Sequence, residues 1–194
     1  MTNYGLLLFP DTEELDFVGP WEVFSASAML SDAGDQVVSI AREPGAVRCA
    51  KGLTITAEFG FADHPRLDVL LVPGGKGTRT EVEHQELLDW IQRTAAGCTW
   101  ITSVCTGSLL LHAAGPGRDA KLATHWGFED EFEARGASVV RDARWVRDGQ
   151  VVSSQGVSAG IDMSLWLIGQ IVSPEHAREV QRYIQYEPDP PYQA

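Results

Sequence analysis

Two patterns of hydrophobic positions alternate along the chain. The first is a short, nearly unbroken apolar run. Tyr4 to Phe9, closed by Pro10, and Leu67 to Val72, closed by Pro73-Gly74-Gly75, are of this kind, while Gln36 to Ala41 and Thr99 to Val104 are strand-like runs that mix in polar residues. Such runs predict strands buried on both faces. Leu53 to Ala57 alternates apolar and polar residues and predicts a further short strand. The second pattern returns apolar residues every third or fourth position and predicts helices. It covers Asp16 to Leu30, Glu86 to Ala96, the stretch after Cys105, Glu129 to Ala134 and Gly160 to Val172. Pro174 opens a last helix, expected to end near Glu187-Pro188. In the helix from Asp16, Gly19-Pro20 is expected to place proline in the first turn. Ser138 to Val140 predicts a strand, and Trp145 to Val152 a hairpin turning about Asp148-Gly149.

Apolar strands separated by amphipathic helices predict an α/β fold, a mostly parallel sheet covered on both faces. No internal repeat or linker interrupts the pattern, so residues 1–194 are expected to form one domain. In open α/β sheets, ligands bind beyond the carboxyl ends of the strands. Gly74-Gly75 and Cys105 both fall at predicted strand ends, which directs attention to one shared crevice.

Charge narrows the field of functions. The formal net charge is −12, and no Lys/Arg cluster relieves it. Nucleic acids and anionic membranes require a basic footprint, so neither is an expected partner. The opening residues lack the basic region and cleavage site of a signal peptide, and no stretch is long and apolar enough to span a bilayer. Cys49, Cys98 and Cys105 are odd in number and show no CxxC spacing, so neither a disulfide framework nor a structural zinc site is expected. A cytoplasmic location fits these features. The five histidines are scattered, and no metal site is predicted.

Cys105 stands where a strand gives way to a helix, in TWITSVCTGSLLLHAAG. Such a turn pushes a side chain out of the sheet on strained backbone, the geometry of a nucleophile elbow. Gly107 keeps the turn uncrowded, and a helix N-terminus beneath favours a thiolate, so the expected thiol pKa lies below that of free cysteine. Cys49 and Cys98 read as packing. Four residues are candidates for the acid–base partner: Asp16, Glu14, His112 and His125. His112 lies inside the following helix and favours packing, whereas His125, in LATHWGF, either lines a pocket or packs beside Trp126. Asp16, between Leu15 and Phe17, suits a helix cap and a pocket carboxylate equally well.

VPGG, SVCTGSLLLHAAG, ATHW, GVSAGID and YEPDPPY, with LDFVGPWEVF, resemble the ThiJ/PfpI superfamily from Tyr4 to Tyr192, and within it the isocyanide hydratases. The resemblance implies a three-layer sandwich of flavodoxin-like, class I glutamine-amidotransferase-like type. It implies Cys105 as nucleophile and Asp16 as its acid–base carboxylate. Thr106 and Gly75 then line the anion pocket. Members using a cysteine–histidine pair carry histidine after the cysteine; Thr106 departs from that pattern, which weakens protease and deglycase readings. The implied enzyme is a hydro-lyase that converts an isocyanide and water to an N-substituted formamide without metal or organic cofactor. Homodimerisation is expected from the superfamily and from apolar Trp21 and Phe24 on the first helix. Three alternatives stand beside it: a related hydrolase or carbonyl-modifying enzyme, the sensor domain of AraC-type regulators, and a redox sensor acting through Cys105. The acidity of the chain and its end at Ala194 leave a DNA-binding role unexpected.

Overall fold

A computed structural model describes residues 1–190 and residue 192. Pro191, within the YEPDPPY motif, lies outside the described residues. The apolar runs form the strands β1 (Asn3–Leu7), β2 (Gln36–Ile40), β5 (Val69–Val72) and β6 (Trp100–Val104), and the predicted hairpin supplies β9 (Trp145–Asp148) and β10 (Val151–Ser154). They make one sheet in the order β2-β1-β5-β6-β10-β9. Every pairing is parallel except β10 with β9, whose two strands turn through Asp148↔Val151. Strand β1 is followed by β2 on one side, and β5 and β6 extend the sheet on the other. The strand order therefore reverses beside β1, and a crevice opens there at the carboxyl ends.

Helices cover both faces. Helices α3 (Gln85–Ala95), α4 (Gly107–Ala114) and α5 (Glu129–Ala134) bury Leu87, Ile91, Leu110 and Phe132 against one face. Helices α1 (Glu14–Met29), α6 (Ala159–Ile171) and α7 (Pro174–Tyr183) bury Phe17, Phe24, Met163, Ile168 and Val180 against the other. This is the expected three-layer sandwich. Strand β5 is apolar throughout because it has no solvent face: Val69 to Val72 are all at most 1% exposed. Among the described residues no helix is long and apolar enough to cross a membrane.

Several elements depart from the periodicity. Helix α1 begins at Glu14, so Pro20 lies in its second turn rather than its first. The proline nitrogen has no hydrogen to return to the Asp16 carbonyl, and the helix runs on regardless, held by packing on α6 and α7. Phe24 is fully buried and stacks on Tyr4 at 4.5 Å, and Trp21 packs against the same cluster. The outward apolar residues of α1 are instead Leu15, Val18 and Met29. Helix α7 stops at Tyr183, where the chain turns through Gln185 at φ 50°. Three of the strands and α-helices have no signature in the hydrophobic pattern. They are β3 (Gly45–Arg48), the hairpin partner of β4 (Thr54–Ala57), the one-turn α2 (Thr78–Glu81), and β7 (Lys121–Leu122), which pairs with β8 (Ser138–Val139).

The join between β6 and α4 is tightly packed. A methyl group on Gly107 would run into the carbonyl oxygen of Val72 and lie 2.8 Å from that of Pro73. Both are backbone atoms that cannot step aside. Gly107→Ala should therefore lower stability by about 2 kcal/mol or more. The expected reading is a lower urea midpoint with an unchanged slope. An unaltered midpoint would show that the strand end yields freely.

Candidate active site

Cys105 has φ 57°, in the left-handed region that a residue with a side chain rarely adopts. Three hydrogen bonds hold it there. Its N–H donates to the Ser154 carbonyl at 3.2 Å, and its carbonyl accepts from Ser108 Oγ and Thr124 Oγ1, both at 3.0 Å. Ser108 Oγ and Thr124 Oγ1 lie 2.9 Å apart, and both residues are fully buried. The local sequence supplies the strained turn, and a segment beyond α4 locks it.

Asp16 is the third residue of α1 and is fully buried. It caps nothing: the residue at the N-cap position is Glu13, and Asp16 Oδ2 accepts the Gly74 N–H at 2.9 Å. Oδ1 is buried without a hydrogen-bond partner among the described residues. The Cys105 thiol lies next to the carboxyl group. Burial pushes the Asp16 carboxyl up to about 7, while the Gly74 N–H and the adjacent thiol draw it down. The even choice between cap and pocket carboxylate thus falls to the pocket.

The expectation of a thiol more acidic than free cysteine is not met. Burial pushes the Cys105 thiol up to about 12, and a charged Asp16 adds to the rise. The Thr106 N–H and hydroxyl and the Arg79 guanidinium pull the other way. Cys105 is only 6% exposed, and the loss of water at sulfur outweighs the helix terminus beneath it. Thiol and carboxyl therefore act as one coupled pair, in which the carboxyl loses its proton first.

Thr106 and Gly75 come together as expected, already joined. The Gly75 N–H donates to Thr106 Oγ1 at 3.1 Å, and Thr78 Oγ1 lies 3.2 Å from the same oxygen. Substrate would have to share or displace that bond to use the Gly75 N–H. His125 reaches the site edge. A methyl on Gly156 would strike its ring and lie 3.2 Å from Cys105 Sγ, so the missing side chain of Gly156 leaves room over the sulfur. The His125 Nδ1 accepts the Gly127 N–H at 3.1 Å, which commits that nitrogen to its own turn. His112 packs edge-on against Phe132, and Glu14 binds the N–H groups of Lys51 and Leu53, so neither serves Cys105. Cys49 and Cys98 are buried free thiols away from the elbow, and among the described residues no group of acids, histidines and cysteines could hold a metal. Thr78, Arg79, Ser108, Thr124 and Gly156 escaped the sequence reading. Ser108, Thr124 and Gly156 lay within noticed motifs without being singled out, and Thr78 and Arg79 lay in none, because what each contributes depends on contacts that periodicity does not display.

Known proteins sharpen this geometry. Residues 5–170 match the DJ-1/PfpI family. The chain is 40% identical over 188 residues to an isonitrile hydratase of Pseudomonas putida, covering 97% of this chain and 80% of that protein. It also superposes with a TM-score of 0.91 on the crystal structure of a ThiJ/PfpI family protein from Pseudomonas syringae, at 33% identity, covering all of this chain and 78% of that one. An HTH-type transcriptional regulator, GbdR of Pseudomonas aeruginosa, is 31% identical over 139 residues, 36% of its own length. The chain belongs to the DJ-1/PfpI family.

The buried carboxyl has a consequence for stability. Asp16 titrates near 7 in the fold against an ordinary 3.8, so the folded state holds its proton more tightly than the unfolded chain. The stability this provides is complete below the unfolded value. It is lost as pH rises from there through about 7. Asp16→Asn keeps an acceptor for the Gly74 N–H and carries no charge to bury. It should exceed the wild type in stability at pH 8, on the order of a few kcal/mol at most, and the gap should close by pH 4. Melting temperatures across this range check the sign; a variant less stable at pH 8 would contradict it.

Proposed function

We propose that this DJ-1/PfpI family member hydrates isocyanides, turning R–N≡C and water into an N-substituted formamide. The observation that carries this reading is a buried carboxyl with one unpartnered oxygen, titrating near neutrality, beside a thiol on a strained elbow. The similarity to an isonitrile hydratase supports it. The reaction asks for a nucleophile for the terminal carbon and for an acid to protonate that same carbon.

Cys105 and Asp16 can divide those tasks. With Asp16 ionised, the thiol passes its proton to Oδ1 as sulfur adds to the terminal carbon. The new carboxylic acid gives that proton to the same carbon, leaving the thioimidate R–N=CH–S. Water then adds to the carbon while Asp16 takes its proton and delivers it to nitrogen. Collapse of R–NH–CH(OH)–S releases the formamide, and sulfur recovers the hydroxyl proton. Each proton is accounted for by Cys105, Asp16 and water. The elevated thiol pKa suits this order, because the thiolate forms only when the carboxylate takes its proton. Thr106 and Gly75 would stabilise negative charge that develops during attack.

Incubation with cyclohexyl isocyanide should yield the formamide, detected by nuclear magnetic resonance. Cys105→Ala should abolish turnover, and Asp16→Asn should reduce kcat by about 100-fold or more. The proton acceptor is the carboxylate, so kcat/KM should rise with pH through about 7 and then level off. A fully active Cys105→Ala enzyme, or a rate that falls through that range, would end this reading. A homodimer is part of the same proposal, since Leu15, Val18 and Met29 leave α1 with an uncovered apolar face. A sedimentation coefficient of a monomer at micromolar concentration would refute it.

A further inference from the structure

Arg79 lies one turn beyond Gly75 and is exposed. Its guanidinium stacks over the Phe128 ring, 4.5 Å from the centroid. One nitrogen, Nη1, donates to Thr78 Oγ1 at 3.1 Å and to the Gly75 carbonyl at 3.4 Å. Its remaining N–H groups have no acceptor and no carboxylate partner among the described residues. The side chain is thus pinned by an aromatic face and by the loop that meets Cys105, and part of its donor fork is left open. From this juxtaposition we infer that Arg79 anchors an anionic group on the substrate, so that the preferred isocyanide carries a carboxylate.

Chemistry and charge support the assignment. A guanidinium presents several donors in a plane that matches a carboxylate, and an aromatic platform holds that plane without consuming its donors. The chain as a whole carries −12, so its long-range field repels anions. An anionic substrate therefore requires a local cation, and Arg79 bonds to Thr78 Oγ1, which lies 3.2 Å from the hydroxyl of Thr106, the residue after Cys105. The inference rests on the hydratase reading for the identity of the electrophile but not for the recognition of charge.

Alkylation of Cys105 separates the two. Iodoacetate and iodoacetamide have the same size and leaving group, and they differ in charge. Their rates at Cys105, followed by mass spectrometry of the Cys105 peptide, give a ratio in which changes of thiol reactivity cancel. Arg79→Gln should lower the ratio of iodoacetate to iodoacetamide rates by about tenfold, the loss of one charge-assisted contact. Arg93→Gln removes an equal charge from the last turn of α3 and should leave the ratio unchanged. If Arg79→Gln shifts both rates together and keeps the ratio, Arg79 only supports the loop and the inference is overturned. In parallel, isocyanoacetate should be hydrated more efficiently than its amide by the wild type, with the preference lost in Arg79→Gln. Absence of formamide from either compound, with the alkylation ratio still falling, would remove the hydratase reading and leave the anion anchor standing. Equal hydration of both compounds by both proteins, with an unmoved ratio, would do the reverse.

Discussion

One backbone conformation governs the candidate-site end of this molecule: the left-handed turn at Cys105. A residue with a side chain pays about 1 kcal/mol or more to stay there, so the surroundings must over-determine it. They do so from three directions. Ser154 at the end of β10 takes the N–H, Ser108 in the first turn of α4 reaches back to the carbonyl, and Thr124 reaches it from the segment after β7. The buried hydroxyls of Ser108 and Thr124 find their partners in this one task and in each other. Releasing the turn would orphan polar groups in a dry environment as well as relax the backbone.

The sheet determines what that turn faces. Because the strand order reverses beside β1, the segments leaving β1, β5 and β6 converge on one crevice. The first brings Asp16, the second brings Gly74 and Gly75, and the third brings Cys105. Gly74 connects the first two: its N–H holds Asp16 Oδ2, and its carbonyl accepts the Glu13 N–H at 2.9 Å as the chain enters α1. The position of the carboxylate is therefore set by the β5 loop as much as by its own helix.

Burial then sets the chemistry. Asp16 and Cys105 both lie where ionisation is costly, and their proximity makes a second negative charge costlier still. A site built this way does not store a thiolate. Burial raises both the Cys105 thiol and the Asp16 carboxyl, the latter to about 7, a combination that suits the proposed reaction, in which one carbon gains both a nucleophile and a proton. The helix N-terminus, Thr106 and Arg79 offset part of the burial without reversing it.

Much of this was legible in the linear pattern. Strands buried on both faces favour apolar runs, so Tyr4 to Phe9 and Leu67 to Val72, with the strand-like Thr99 to Val104, announced a parallel sheet. A cysteine between β6 and α4, followed by Gly107, announced the elbow. The pattern could not place Pro20 in its helix, because packing on α6 and α7 outweighs the local preference of proline. Nor could it show Phe24 buried against Tyr4 rather than outward. Whether Asp16 capped a helix or faced a thiol depended on Gly74, 58 residues away. The acidity of Cys105 was misjudged for the same reason. A helix terminus is a local feature that sequence displays, whereas the loss of water around a sulfur is a property of everything packed about it. Hydrophobic period is written residue by residue, but a pKa, a shared proton and an arginine's open donors belong to the assembled volume, and only the tertiary structure could decide them.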